Sequence, residues 1–332
     1  MSVSILKRAT RSLPTRAISS GQIAFLQTPC SISTPMSQRP MHTSGNSGVK
    51  VMNSDPKESA NGHKLVFVVT GGAQGLGPAL AESLVEAGGK GKYYIQNDSF
   101  TAWIVLIIQT KAGKKPRSML SQNGEDHYTT ANKTYVQDAE GLDKLIAAIA
   151  DENRGLDGVI AAAGIQHISP TIEYQPDEVA HMLSINYTGV FMTAKSAAKQ
   201  MMKYKKRGSI CMIASISGLK ANRGLISPVY NSSKAAVIQL ARNLAMEWSP
   251  IQKDGTGGIR INCISPGHIM TPMVQSNLEE IPGLREEWER EIMMGRLAET
   301  KEFKGTALFL LSNASSYMTG NNLVIDGGHS SW

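Results

Sequence analysis

The sequence predicts an α/β fold: one domain built on a doubly wound parallel sheet. Short β-branched apolar runs alternate with stretches at helical spacing, and a glycine-rich loop joins the first run to the first helix. Neither an internal repeat nor a second core is visible, and 332 residues suit one large α/β domain.

The elements follow in order. Residues 64–69 form a short apolar run rich in valine, the signature of a buried strand. The glycine loop occupies 70–77, and Ala79, Leu80, Leu84 and Val85 continue at helical spacing. Residues 142–149 read as an amphipathic helix and 156–165 as a strand ending in small residues. One long helix is expected over 176–204, with Met182, Ile185, Val190, Met201 and Met202 among its apolar positions. A strand at 209–215, a helix at 228–248 and strands at 259–264 and 323–325 complete the alternation.

Composition excludes several functions. Apolar residues make up 41% and charged residues 18% of the chain, as in ordinary globular proteins. No apolar run approaches the ~18 residues that span a bilayer, so no membrane partner is expected. Cys30, Cys211 and Cys263 are far apart and form no CxxC pair, which argues against a disulfide framework or a cysteine-held metal. The net charge of +7 is unevenly placed. Six of the 34 basic residues and none of the 27 acidic ones lie in residues 1–54, leaving 28 basic against 27 acidic in the body. A nearly neutral body has no field for nucleic acid.

The first 54 residues are rich in Ser, Thr and Arg, with Ile5, Leu6, Leu13, Ile18 and Phe25 between the basic residues. That is the composition of a mitochondrial transit peptide. Arg8, Arg11 and Arg16 interrupt any secretory apolar region, and residues 38–44 resemble a presequence processing region. The alternative is a disordered arm on a cytoplasmic protein.

The loop Thr70-Gly71-Gly72-Ala73-Gln74-Gly75-Leu76-Gly77 has the spacing Gly-x-x-x-Gly-x-Gly. Between a strand and a helix, such a loop brings backbone N–H groups and a positive helix end to a pyrophosphate. Gly71 permits the tight exit, Gly75 the approach of phosphate, and Gly77 close packing of helix on strand. The predicted fold is therefore Rossmann-like and the predicted ligand a dinucleotide.

Tyr230-Asn231-Ser232-Ser233-Lys234 opens a helix. Residues four apart share a helix face, and an ammonium beside a phenol lowers the phenol's pKa, so that it can exchange a proton near neutral pH. Ser215 ends a strand, where sheets of this kind place their ligands, and its hydroxyl can hold a substrate oxygen; Ser217 is its rival. Asn186 can anchor a water that relays the proton. No metal is required, since Lys234 supplies the local positive charge.

From Leu65 onward the chain resembles the short-chain dehydrogenases/reductases. The matching pieces are residues 70–77, residues 161–164, Asn186, Ser215, Tyr230 with Lys234, residues 265–267 with Thr271, and residues 324–328. Within that family it is most similar to fungal polyol and ketose reductases of the mannitol, sorbitol or sorbose type, through residues 228–237 and 264–269. The resemblance implies that Tyr230 is the acid/base, that Lys234 also holds the nicotinamide ribose, and that Ser215 positions substrate. It implies that Ile269 and Thr271 contact the nicotinamide carboxamide. Cofactor contacts are further implied for Gly71, Gly75, Leu76, Gly77, Ala162, Gly164, Pro266 and Gly267. The resemblance implies NADP as cofactor, with NAD as the alternative, and Gln74 is neutral where a basic residue would point to NADP. The resemblance also implies a homotetramer or homodimer, with residues 329–332 able to reach a neighbouring subunit.

Three departures stand out. The family's Asn-Asn-Ala-Gly is here Ala161-Ala162-Ala163-Gly164, and the acid that meets adenine is replaced by Tyr135. The third is the stretch 90–130, where a second strand and its ribose-binding end should follow Lys90. Either the second strand is relocated to 103–108, with Lys111, Lys114, Lys115 and Arg117 binding a 2′-phosphate, or part of the stretch is foreign, such as an intron read through. The abrupt change of character near Lys90 and the return near Gln137 favour the latter.

The charged run after Thr271 reads as a solvated helix face on a segment that, in the family, closes over substrate; Met273 and Trp288 are pocket candidates there. His268 reads as structural. The expected function is hydride transfer between a nicotinamide and a secondary alcohol or ketone, a polyol or ketose. The alternatives are reduction of 3-oxoacyl thioesters and a cofactor-binding protein without turnover. Residues 1–54 fused to a fluorescent reporter are expected to direct it to mitochondria; a diffuse cytosolic signal would count against import.

Overall fold

The structure is a computed structural model that describes residues 65–72, 74–87, 89–94, 104–109 and 135–332, the two short stretches 89–94 and 104–109 in backbone only. The arm 1–54 and the basic residues 111–117 lie outside the described residues.

The strands are β1 (Leu65–Thr70), β2 (Gly89–Tyr94), β3 (Ile104–Gln109), β4 (Gly158–Ala161), β5 (Ser209–Ile213), β6 (Arg260–Pro266) and β7 (Asn322–Ile325). They form one sheet in the order β2-β3-β1-β4-β5-β6-β7. From β1 to β7 every pairing is parallel. The main helices are α1 (Gly77–Glu86), α2 (Ala139–Asn153), α3 (Pro176–Leu183), α4 (Val190–Lys203), α5 (Pro228–Trp248), α6 (Pro272–Glu280), α7 (Leu284–Glu291) and α8 (Lys304–Leu311).

Alternation along each strand builds the two faces. Val66, Val68, Val159, Ile210, Met212, Ile261 and Cys263 face α2, α4 and α5 in one buried cluster. Phe67, Val69, Ile160, Cys211, Ile213 and Ile264 face α1 and α8 in another. Strands buried on both sides are what a doubly wound sheet requires. Residue-level causes close the elements: Asp138 Oδ1 accepts from Gly141 N at 2.9 Å and caps α2, and Pro228 opens α5, where its missing N–H costs nothing.

Four expectations are corrected. The strand expected over 156–165 is confined to Gly158–Ala161, because the chain leaves the sheet at the small residues that follow. The single helix over 176–204 is two helices joined by a π-helical turn at Ser184–Gly189; the apolar periodicity runs through the turn unchanged and conceals it. The relocated strand does pair with β1, but antiparallel, with Leu65 opposite Gln109 and Thr70 opposite Ile104. The end of β3, Gln109, therefore lies beside the start of β1, away from the glycine loop. Finally, Trp288 is not a pocket residue: it is 1% exposed and packs with Leu225, Leu284 and Leu297 in a small core beneath α6 and α7.

Among the described residues no helix is long and apolar enough to cross a membrane. Phe303 is fully buried against the α1 and α8 side of the sheet. Phe303→Ala is expected to cost about 3–5 kcal/mol of stability, read from urea unfolding; a loss below about 1 kcal/mol would show that the site collapses around the deletion.

Candidate active site

The carboxyl ends of β1, β4, β5 and β6 carry the site. At the end of β1 the loop turns tightly: Gly71 has φ +68, and a Cβ there would lie 2.6 Å from Ala163 N. A Cβ on Gly77 would lie 2.0 Å from Gly71 O, so helix and loop touch through backbone alone. Gly75 also has positive φ, and a Cβ there would meet nothing within 4 Å. The first turn of α1, after Leu76, has no side-chain cap and no acidic residue, which leaves its N–H groups available to an anion. These residues fit a dinucleotide pyrophosphate.

Ala162 N bonds Thr70 O at 3.2 Å, setting the chain after β4 beside that loop. At Gly164 a Cβ would lie 3.3 Å from Lys234 Nζ and 3.4 Å from Asn186 Oδ1. The π-helical turn aims the carboxamide of Asn186, fully buried, into the same place. Its Oδ1 accepts from Ile165 N and its Nδ2 donates to Ile165 O, both at 2.9 Å. Nδ2 also donates to Ser233 Oγ at 3.1 Å, and Ser233 Oγ donates to Tyr230 O at 2.7 Å. Asn186 thus ties the chain after β4 to the first turn of α5.

Tyr230 is half-buried; desolvation pushes its phenol above the ordinary tyrosine range, while a hydrogen bond with the Ser215 hydroxyl pulls the other way. Loss of water is the largest effect, so the phenol lies above its ordinary range, where the spacing predicts a value below it. Lys234 Nζ lies 5.6 Å from the Tyr230 ring centre and donates to Ile213 O at 2.9 Å. Desolvation lowers its own pKa to about 8. The two serines separate: Ser217 Oγ exchanges hydrogen bonds with Asn222, whereas Ser215 faces the phenol and accepts only the Ser217 N–H at 3.1 Å from the backbone.

On the β6 side, Gly267 N donates to Ile325 O at 2.9 Å and places Pro266 and Gly267 against the end of β7. Ile269 is buried. Thr271 caps α6, its Oγ1 accepting from Val274 N at 3.3 Å. His268 stacks on Trp288 with ring centres 3.8 Å apart, and burial drives its pKa down to about 3, so it is a neutral packing residue. Sequence reasoning passed over Ser233, Asn222 and the pair Gln166–Asn277, bonded at 2.9 Å. Ser233 was legible as the residue one before the lysine; the others meet only through the fold.

A glycine cradle, a half-buried phenol and a buried lysine at one edge of a doubly wound sheet define a nicotinamide-dependent oxidoreductase. A family model described as enoyl-(acyl carrier protein) reductase matches residues 71–330, and the chain belongs to the short-chain dehydrogenases/reductases. It is 34% identical to D-arabinitol 2-dehydrogenase [ribulose-forming] of Candida albicans (strain WO-1) over 272 residues, 81% of this chain and 93% of that one. It is 37% identical to L-xylulose reductase of Hypocrea jecorina over 216 residues, 60% of this chain and 72% of that one. Among solved structures it is similar to an NADPH-dependent 3-quinuclidinone reductase from Rhodotorula rubra, with TM-score 0.63 and 29% identity, covering 80% of this chain and 90% of that one.

The buried lysine makes a pH prediction. Between about pH 8 and its ordinary value of 10.5, the unfolded chain binds the proton that folded Lys234 releases. Stability from this group therefore rises with pH across that window, and its burial is destabilising below it. Lys234→Met is expected to flatten that part of the curve in urea unfolding; an unchanged slope would show that Lys234 keeps its proton.

Proposed function

We propose that the chain interconverts a polyol and a ketose with NADP(H), NAD(H) being the second choice, using Ser215, Tyr230, Lys234 and Asn186. The observation that carries the reading is the Ser215–Tyr230 hydroxyl pair beside buried Lys234, held by Asn186 at the edge where the glycine cradle opens. The relatives support the substrate class, since they are named for arabinitol and xylulose. The NADPH-dependent neighbour supports NADP(H).

When bound, the nicotinamide supplies or accepts the hydride. In reduction, the Ser215 hydroxyl and Tyr230 Oη donate hydrogen bonds to the carbonyl oxygen. Tyr230 then gives its proton to that oxygen as the carbon takes the hydride. The phenol holds its proton at neutral pH, as reduction requires. The phenolate that remains is stabilised by the Lys234 ammonium, and Asn186 keeps the backbone at Ile165 in place for a water relay to solvent. Oxidation needs the phenolate first, so its rate should climb with pH. Leu76, Ala162, Pro266, Ile269 and Thr271 line the cofactor side in this reading.

The same reading places the protein in mitochondria through residues 1–54, as a homotetramer or homodimer. It treats part of 90–130 as foreign to the functional protein, supported by β3 pairing antiparallel beside β1 where a dinucleotide fold needs a parallel strand. A spliced message encoding all of 90–130 would retire that view.

The protein mixed with NADPH or NADH is followed at the nicotinamide absorbance with fructose, sorbose and an acetoacetyl thioester. Turnover with a ketose alone is expected; turnover with the thioester alone would replace the substrate class, and cofactor binding without turnover would make the chain inert. Tyr230→Phe is expected to lower kcat by about 10²–10⁴-fold with cofactor affinity retained, while Lys234→Ala damages both. Normal turnover by Tyr230→Phe would refute the mechanism.

A further inference from the structure

The segment carrying α6 and α7 rests on its own apolar cluster of Leu225, Leu284, Trp288 and Leu297. Apolar packing holds such a segment without dictating its register. Glu291, at the end of α7, lies 3.8 Å from both Arg223 and His329, and α6 has a buried polar contact of its own. Asn277 Nδ2 donates to Gln166 Oε1 at 2.9 Å, joining positions 111 residues apart.

Both partners are unusual for where they sit. Asn277 is 6% exposed on α6, a helix whose other polar residues, Gln275, Ser276, Glu279 and Glu280, are all exposed. A carboxamide buried on an otherwise solvated helix needs a partner, and this one has it across the fold. Gln166 follows directly on Ile165, whose N–H and C=O are both held by Asn186. From Tyr230 the hydrogen bonds run through Ser233 and Asn186 to Ile165, and one residue further along the chain they resume at Gln166 and end on α6. Gln166 is half-buried, its oxygen is committed to Asn277, and among the described residues its Nε2 has no hydrogen-bond acceptor. A fixed, half-buried amide donor is complementary to a ligand hydroxyl or carbonyl oxygen.

We propose that Gln166 and Asn277 form a carboxamide clasp that fixes α6 and α7 over the substrate, and that Gln166 Nε2 donates to a hydroxyl of a polyhydroxylated substrate near its reacting carbon. The second part rests on the polyol and ketose reading above; the first does not. Gln166 is then a substrate-contacting specificity residue and Asn277 a positioning residue that acts through it. The carboxamide is suited to this task because one end can be anchored while the other donates.

Substitutions separate the two roles. Gln166→Glu keeps an acceptor for Asn277 but removes both donors; Asn277→Leu removes the clasp, and Gln166→Leu breaks it from the loop side. Trypsin cleavage at Arg285 and Arg290 reports on the segment with no substrate present. Cleavage about fivefold faster than in the native chain is expected for the two leucine variants and native cleavage for Gln166→Glu, since one buried hydrogen bond is at stake. With NADPH, all three are expected to raise KM for a ketose about tenfold with kcat little changed. Gln166→Glu should leave KM for cyclohexanone, which has no hydroxyl to recognise, as it is in the native protein. Native cleavage of both leucine variants would overturn the clasp. An equal rise in KM for ketose and cyclohexanone in Gln166→Glu would overturn the hydroxyl contact. A native protein that reduces cyclohexanone but no ketose would sink the substrate reading and the hydroxyl contact together, while the cleavage comparison would still decide the clasp.

Discussion

An ammonium group taken out of water is the constraint around which the site is arranged. Lys234 is 4% exposed, and removing such a cation from solvent costs several kcal/mol unless polar groups replace its hydration. The Ile213 carbonyl does so at 2.9 Å, and that carbonyl is the last of β5. The helix bearing Lys234 must therefore dock against the carboxyl edge of the sheet, and Ser215, two residues beyond Ile213, falls beside the phenol one turn before the lysine. Gly164 belongs to the same constraint, since a side chain there would crowd Nζ. The lowered affinity of Lys234 for its proton is the residue of a desolvation that the fold has not fully offset.

Asn186 turns that local arrangement into a rigid one. Its carboxamide uses both of its ends on Ile165 and a further donor contact on Ser233. Three elements distant in sequence, the chain after β4, the π-helical turn and the first turn of α5, are thus held by one side chain. The π-helical geometry is what allows this, because an unbroken α-helix would rotate residue 186 relative to the helix that follows. The apolar faces on either side of the sheet set the coarse positions, and this small polar network sets the fine ones.

Much of this was legible in the sequence, and the parts that were not share a cause. Short continuous apolar runs gave β1, β5 and β6 to within two residues and helical spacing gave α5, because strands buried on both faces read as unbroken apolar stretches. The glycine loop and Tyr230/Lys234 were readable because backbone approach and helical spacing are local properties. Strand direction is not local: the apolar run at 103–108 announces a strand but not that it runs antiparallel to β1. The charged run around Trp288 hid a buried residue, though Leu284 and Trp288, four apart on one helix face, were a usable sign. The raised pKa of Tyr230 was missed because spacing reports the neighbouring charge and says nothing of lost water. Gln166 and Asn277 carry no mark of one another in a linear reading.

The pairing of β1 with β3 has a bearing on how the gene product can be shortened. Six consecutive residues of β1 find their outer partners in β3. Any shorter product that omitted this ribbon without a replacement would present the bare rim of β1 to solvent, a template for self-association between chains. A functional splice form must therefore bring its own strand to that rim, and a soluble, monodisperse short form would be evidence that it does.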